Sequence, residues 1–497
     1  MPGMRWFGVR RGQALARNRG TLGSVMLEVR TVSEAGSARA KSLLDQCLGP
    51  SNVLTDPALL EPYCRDESDL LGMAPVAVVL ARSAADIQAT LAVARETGVP
   101  VTPRAGGTGK VGGCILMSPG LVIDVSPMNQ IKNIDVQQGI AVVQPGMKLG
   151  AFEAAVEAEK WFYPPEPNSV QDCEVGGAAA TNAAGPRAFK YGPTRDYVLG
   201  MDVFLMGGEQ LRLGKRTRKG VTGYDLTSLM VGSEGTLGII SELTVKLLPK
   251  PQCVLSLMAL FDDLFAAAAA VAHITSSGVL PSCIELCDAA TLAAMRAAGN
   301  PFAERAGGML LIDIDGDEAT CFSQAGRVAD ACTRAGAFEV VVAKDATQRE
   351  RIWEARRSMS PSIRKLSKHK LSEDVVVGSN RIAELCQRID RYTQQHKIRW
   401  LVYGHAGDGN LHVNFLWDDP DDRPRIDAAV VQLFRDTVDL GGTLTGEHGV
   451  GLLKAPFLEF EQSPELIALQ QKLKALFDPQ NLLNPGKIFV RRGHGNC

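Results

Sequence analysis

From residue 75 the chain alternates between two hydrophobic periods. Residues 76–80 form a short continuous apolar run of the kind a buried strand makes. Ser83 then stands where a helix N-cap is expected, Ile87, Leu91 and Ala94 recur at helical spacing, and Gly98 ends the repeat. Residues 99–103 return to the sheet and lead into a glycine-rich turn. Further strands are predicted at 121–125, 140–144, 198–206 and 237–247, with a helix over 149–159 among them.

Pro249 and Pro251 interrupt this pattern, which then restarts. A strand is predicted at 254–261, a helix to 277, a strand at 309–315, a helix over 318–335 and a strand at 339–343. A helix over 382–395 places Ile382, Leu385, Ile389 and Tyr392 on one face, and strands at 399–403 and 411–417 flank a second glycine-rich turn. The chain therefore reads as two α/β regions that meet near Pro251, without internal repeats.

Length and composition agree with this division. A chain of 497 residues is too long for one ordinary core. The hydrophobic fraction of 45%, the charged fraction of 22% and the 50 glycines describe a globular enzyme rich in turns and close backbone approaches. A net charge of −2 leaves no basic excess for nucleic acid. The 11 cysteines are scattered and lack a CxxC pair, which fits reduced thiols in a cytoplasmic setting and argues against an iron–sulfur relay within the chain. No apolar run approaches the roughly 20 residues of a membrane span. Residues 1–27 carry Arg5, Arg10, Arg11, Arg17 and Arg19 with no acid before Glu28, which suits either a mitochondrial presequence or a start site placed upstream of Met26.

Three glycine-rich segments suggest a flat anionic ligand. Residues 103–113 read PRAGGTGKVGG, with five glycines behind a strand, so that successive N–H groups can converge on phosphate oxygens without Cβ obstruction. The loop lacks the Lys-Ser/Thr of a Walker motif and the helix that should open behind a dinucleotide fingerprint, and alone it is equally a hairpin turn. Residues 169–192, which contain VGGAAATNAAG, and residues 223–240, which contain VGSEGTLGII, add small-residue walls in otherwise ordered strands. Thr181, Asn182 and main-chain amides are their available hydrogen-bonding groups. Tight backbone packing explains each wall singly.

The histidines are the second signal, since three of only seven fall in two glycine-rich turns, GHAGDGNLHVN (404–414) and TGEHGVG (445–451). Along 411–417, Leu411, Val413 and Phe415 share one strand face, and His412 and Asn414 share the other. A hairpin brings His405 beside His412, and Glu447 completes a two-histidine, one-carboxylate set able to hold zinc, manganese or iron. Turn capping and core hydrogen bonds are the bland alternatives for each histidine alone. His448, next to the carboxylate, carries an imidazole, the side chain suited to take a proton near neutral pH. Asp408 suits the geometry of its turn and is read as structural.

In this order these segments resemble the vanillyl-alcohol oxidase and p-cresol methylhydroxylase flavoproteins. The rest of the chain resembles the glycolate oxidase branch, which includes the D-lactate and D-2-hydroxyglutarate dehydrogenases. The resemblance implies an α+β fold in which an extension (1–27) and an N-terminal helical arm (28–70) precede a p-cresol-methylhydroxylase-type FAD-binding domain of two α/β subdomains (71–250). An α/β substrate and metal domain with an antiparallel sheet (251–490) follows and ends in a short return segment. Arg104, Ala105, Gly106, Gly107, Thr108, Gly109, Gly112 and Gly113 would bind the FAD pyrophosphate. Ser169, Gly176, Gly177, Thr181, Asn182, Gly185, Glu234, Gly235, Gly238, Ile239, Ile240 and Asn484 would line the remainder. Covalent relatives carry a histidine in the first loop and this chain does not, so FAD is expected to be non-covalent.

The same resemblance assigns His405, His412 and Glu447 to a divalent metal, His448 to proton abstraction, Asn414 to the substrate's neighbourhood, and Arg356 and Lys370 to its carboxylate. From composition alone, the cations of 353–375 read as a solvated helical face. The implied reaction is metal-assisted oxidation of D-lactate, D-2-hydroxyglutarate or glycolate to the 2-oxo acid, with hydride transfer to flavin. An external acceptor then takes the electrons: a quinone, an electron-transfer flavoprotein, a cytochrome or a partner subunit. A homodimer or heteromeric complex, cytoplasmic or peripheral at the inner membrane, is expected. The alternative is a non-redox flavoenzyme of the alkyl-dihydroxyacetone-phosphate synthase type.

Overall fold

A computed structural model describes residues 32–300 and 302–489; the extension expected over 1–27 lies outside them. The first sheet contains β1 (Val53–Leu54), β2 (Ala77–Leu80), β3 (Val101–Arg104) and β4 (Leu121–Asp124) in the order β1-β2-β4-β3. β2, β4 and β3 are parallel, and the crossover from β2 to β3 is the helix Ala84–Thr97. A capping box between Ser83 and Asp86 starts this helix, and Gly98 ends it in the left-handed conformation. Ile87, Leu91 and Ala94 are fully buried against the sheet, as their spacing predicts.

The second sheet is antiparallel and contains β5 (Ile131–Asp135), β6 (Ile140–Val143), β8 (Val198–Phe204), β9 (Gln210–Gly214) and β10 (Ile239–Lys246) in the order β5-β6-β10-β8-β9. A short ribbon pairs β7 (Trp161–Phe162) with β11 (Leu248–Pro249). One expectation fails here: residues 175–181 of the small-residue wall are not a strand but the helix Val175–Thr181. Its alanines favour a helix, and Asn182 closes it in the left-handed region at φ 52°.

The C-terminal half carries seven antiparallel strands: β12 (Cys253–Phe261), β13 (Cys283–Asp288), β14 (Gly308–Gly316), β15 (Glu339–Val342), β16 (His369–Val376), β17 (Arg399–His405) and β18 (Asn410–Trp417). Their order is β15-β12-β14-β13-β17-β18-β16. Hydrophobic periodicity does not reveal β13 or β16. β16 lies in the cation-rich stretch read as a solvated helix, but its polar side chains face an internal cavity instead.

Pleat alternation divides this sheet into two chemical faces. Ile284, Leu286, Val375, Val402, Leu411, Val413 and Phe415 enter the main core, beneath the helices Leu264–Ser276, Ile382–Gln395 and Arg423–Asp439. Glu285, Lys370, Asp374, Tyr403, His405, His412 and Asn414 alternate with them and share the opposite face. The chain end then returns to the first sheet. Leu482 and Leu483 are fully buried there, and the Val101 N–H donates to the Leu482 carbonyl while the Asn484 N–H donates to that of Val101.

Candidate active site

A cavity of about 1290 Å³ runs between the glycine loops and the polar face of the seven-stranded sheet. That exceeds the roughly 300–1,000 Å³ of a pocket for one small ligand, so it has room for a dinucleotide and a small substrate together. Residues 104–109 and Gly113 line one end, with Ser169, Gly176, Gly177, Thr181, Glu234, Gly235, Gly238, Ile239 and Ile240. Close backbone approach explains the glycines. A Cβ on Gly106 would lie 2.6 Å from the Asp172 carbonyl oxygen, and one on Gly176 would lie 2.4 Å from the Pro145 Cβ. Arg104 stacks over Tyr63 with its guanidinium carbon 5.4 Å from the ring centre.

At the other end His405, His412 and Glu447 converge, with ligand atoms all within 4.8 Å of one another. The Glu447 carboxylate lies 3.8 Å from His405 Nε2 and 3.5 Å from His412 Nε2. These two Nε2 atoms and Glu447 Oε2 are buried with no hydrogen-bond partner. Three unsatisfied polar atoms facing one point are costly unless a cation joins them, so the donor set fits a divalent metal. Burial lowers the His405 pKa, but the Glu285 and Glu447 carboxylates outweigh it and hold it up near 10. Burial takes His412 down to about 3. For Glu447, burial opposes ionisation, yet hydrogen bonding and the three neighbouring imidazoles hold it down at about 2. Around a bound metal the set would be an ionised carboxylate and two imidazoles, each deprotonated at Nε2.

His448 lines the cavity beside this set, its ring stacked on His412 at 5.5 Å. Its Nδ1 lies 3.1 Å from Asp374 Oδ1, which leaves Nε2 toward the reacting region. Asp374 is 0% exposed and also shapes the loop, since its Oδ2 accepts the N–H groups of Gly446, Glu447 and His448 at 2.8, 2.8 and 3.1 Å. Lys454 donates to it as well. Burial opposes its charge, but His448 and Lys454 hold the Asp374 carboxyl well below the usual range.

Two family models match this chain: the FAD binding domain over residues 75–214 and the C-terminal domain of FAD-linked oxidases over residues 250–488. The glycolate oxidase subunit GlcD of Bacillus subtilis is 38% identical over 91% of this chain and 97% of its own length. The chain belongs to the FAD-linked oxidase family. A D-lactate dehydrogenase of Anaerostipes hadrus is 32% identical over 89% of this chain and 96% of its own. A D-2-hydroxyglutarate dehydrogenase of Stutzerimonas stutzeri is 31% identical over 89% and 97%. Among solved structures, p-cresol methylhydroxylase shares the fold at a TM-score of 0.77 and 16% identity, covering 93% of this chain and 99% of that one. An alkyldihydroxyacetonephosphate synthase shares it at 0.72 and 20%, covering 93% and 87%. The protein is an FAD-dependent oxidoreductase built from an FAD-binding domain and a C-terminal domain with an antiparallel sheet.

In this FAD-linked oxidase, Arg356 and Lys370 both line the cavity, so they are not a solvated face. Arg356 is 4% exposed and pairs with Glu285, its guanidinium 5.3 Å above Tyr403. Lys370 Nζ lies 3.4 Å from Ser360 Oγ, and burial, helped by Arg364 and Lys110, brings its pKa down to about 8. Six expected site residues lie outside the cavity lining; one is His405, whose Nε2 still points toward Glu447 from 3.8 Å. Gly112 packs on Leu70 and Leu452, Gly185 backs onto the Glu166 carbonyl, and Asn182 Oδ1 accepts the Arg195 N–H. Asn484 Nδ2 donates to the Gly113 and Glu234 carbonyls, so Asn484 braces the loops from behind. Asn414 is fully buried on the strand face it shares with His412, whose carbonyl accepts from its Nδ2 at 2.8 Å, and its Oδ1 has no partner.

Three further charged residues escaped sequence reasoning. Asp374 and Glu285 sit on the two strands that periodicity did not reveal, and Lys454 follows the TGEHGVG turn. For Glu285, a carboxylate amid the apolar residues of 283–287 was a signal; for Asp374, set in a charge-rich stretch, there was none. Glu234, expected at the cofactor, also accepts the N–H groups of Val450 and Gly451, at 2.8 Å each, and so ties the histidine loop to the FAD-binding domain.

Proposed function

We propose that this oxidase converts a small D-2-hydroxy acid, in the class of D-lactate, D-2-hydroxyglutarate and glycolate, to the 2-oxo acid. The observation that carries this reading is the convergence of the His405, His412 and Glu447 ligand atoms beside His448, at the cavity that His412, Glu447, His448, Arg356 and Lys370 line. The relatives named for hydroxy acids support it. Non-covalent FAD supplies the hydride acceptor when bound. A divalent zinc, manganese or iron ion held by His405, His412 and Glu447 supplies Lewis acidity toward the substrate hydroxyl.

The chain's own residues do the rest. Lys370 and Arg356 hold the carboxylate and thereby orient C2. His448 Nε2 accepts the hydroxyl proton, and Asp374 keeps the imidazole oriented and balances the charge it gains, as a buried carboxylate does behind other catalytic histidines. Asn414 acts one layer back by supporting His412. The functional division follows the expected domains, 71–250 for FAD and 251–490 for substrate and metal. An external quinone, electron-transfer flavoprotein, cytochrome or partner subunit takes the electrons, and the working location is cytoplasmic or peripheral at the inner membrane. Among the described residues no helix is long and apolar enough to cross a membrane.

The test is the flavin absorbance of metal-replete protein under anaerobic conditions, before and after each D-acid, with L-enantiomers as controls where they exist. Bleaching by one of the acids, confined to the D form of chiral ones, is the expected result. A flavin that no hydroxy acid reduces would favour the non-redox chemistry of the alkyl-dihydroxyacetone-phosphate synthase type.

A further inference from the structure

One carboxylate links the two halves of this proposed site. Glu285 lies on β13 directly opposite His405 on β17, and it is 1% exposed. Its Oε1 is 2.5 Å from His405 Nδ1, and its Oε2 is 2.5 Å from both Nε and Nη2 of Arg356. Each oxygen therefore serves a different element: one a metal-ligand strand, the other the last turn of the helix Ala346–Arg357.

We propose that Glu285 is a positioning residue that couples the metal set to the substrate-carboxylate subsite. This rests on the function proposed above. A carboxylate that accepts from His405 Nδ1–H fixes the tautomer whose Nε2 lone pair is free, and this Nε2 is the atom aimed at His412 and Glu447 without a partner. The other oxygen lies against Nε and Nη2 of Arg356, which lines the cavity, while Tyr403 covers one face of the guanidinium. Metal ligation and carboxylate binding thus share one anchor. A shift of Glu285 moves both groups, although His405 and Arg356 lie on separate elements.

The Glu285→Gln substitution separates this role from packing, because it preserves size but leaves one acceptor oxygen for two donors. Zn²⁺ affinity is measured by chelator competition on the FAD-loaded full chain, with the flavin spectrum and thermal melt as controls for folding. The expected result is Zn²⁺ binding weakened by about 10- to 100-fold, together with a raised KM for the hydroxy acid and unchanged FAD content. Glu285→Asp, one methylene shorter, should change both in the same direction by less. Arg356→Met should raise KM while leaving Zn²⁺ affinity within about threefold of the parent, since the His405 contact remains. If either Glu285 variant folds with parental Zn²⁺ affinity and KM, the proposal is overturned. If the parent protein itself binds none of Zn²⁺, Mn²⁺ and Fe²⁺, the metal reading of the site falls, and this inference falls with it.

Discussion

Asp374 shows how one buried side chain can set a site. It orients His448, accepts three loop N–H groups and neutralises Lys454. Asp374→Asn should therefore lower kcat by on the order of 10²- to 10⁴-fold, as loss of the aspartate behind a catalytic histidine does elsewhere. It should also destabilise the fold by about 1–3 kcal/mol, because buried Lys454 loses its nearest carboxylate and keeps Glu373 only at 3.7 Å. Steady-state kinetics and denaturant melts read the two effects separately. Lys370 makes a pH-dependent prediction. With its pKa lowered to about 8, it is cationic below that pH and loses its charge above it. Binding a carboxylate favours the charged form, so KM should be flat below pH 8 and rise about tenfold per pH unit above it. Lys370→Arg, charged throughout, should flatten that rise; a parental profile identical to the arginine variant's would remove Lys370 from the carboxylate subsite.

At the scale of elements, the glycine loops make a sharp contrast. Gly106 has the Asp172 carbonyl where a Cβ would go, whereas a Cβ on Gly109 would meet only Asp66 Oδ2, at 3.7 Å. Gly106→Ala should cost about 1–3 kcal/mol in thermal or denaturant stability and weaken FAD retention, while Gly109→Ala should leave stability within about 0.5 kcal/mol. Equal losses at both positions would mean that the loop is held otherwise. Element prediction itself succeeded where one face meets a core and the other meets water, as in the helices Ala84–Thr97 and Ile382–Gln395. It failed at β13, which is buried on both sides, and at half-buried β16, which lines a cavity with polar groups, so neither shows an apolar-to-solvent alternation.

For the whole molecule, the chain end has a structural task. Leu482, Leu483 and Asn484 extend the first sheet beyond β3 and brace Gly113 and Glu234, and Lys487 Nζ donates to the Ile115 carbonyl. A chain ending at Gln480 should lose FAD on gel filtration and melt at a lower temperature; retention of stoichiometric flavin would refute the bracing role. The same frame holds the histidine loop to the FAD-binding domain through Glu234, and Lys190 and Tyr191 to Asp315.

The α+β class, the glycine cradle and the residues proposed here as metal ligands and base were all legible in the chain alone. Those features are local: glycines adjacent in the chain form one loop, and His405 and His412 share one hairpin, so spacing alone brings them together. Only the tertiary structure decided what stands behind them. Glu285 reaches His405 across 120 residues of chain, and Asp374 reaches the backbone of His448 across 74. Such partnerships follow from strand order and register, which are selected by the packing of the whole sheet against its helices. The same packing turned a charge-rich stretch toward the cavity and set Asn484 and Gly112 behind the glycine loops.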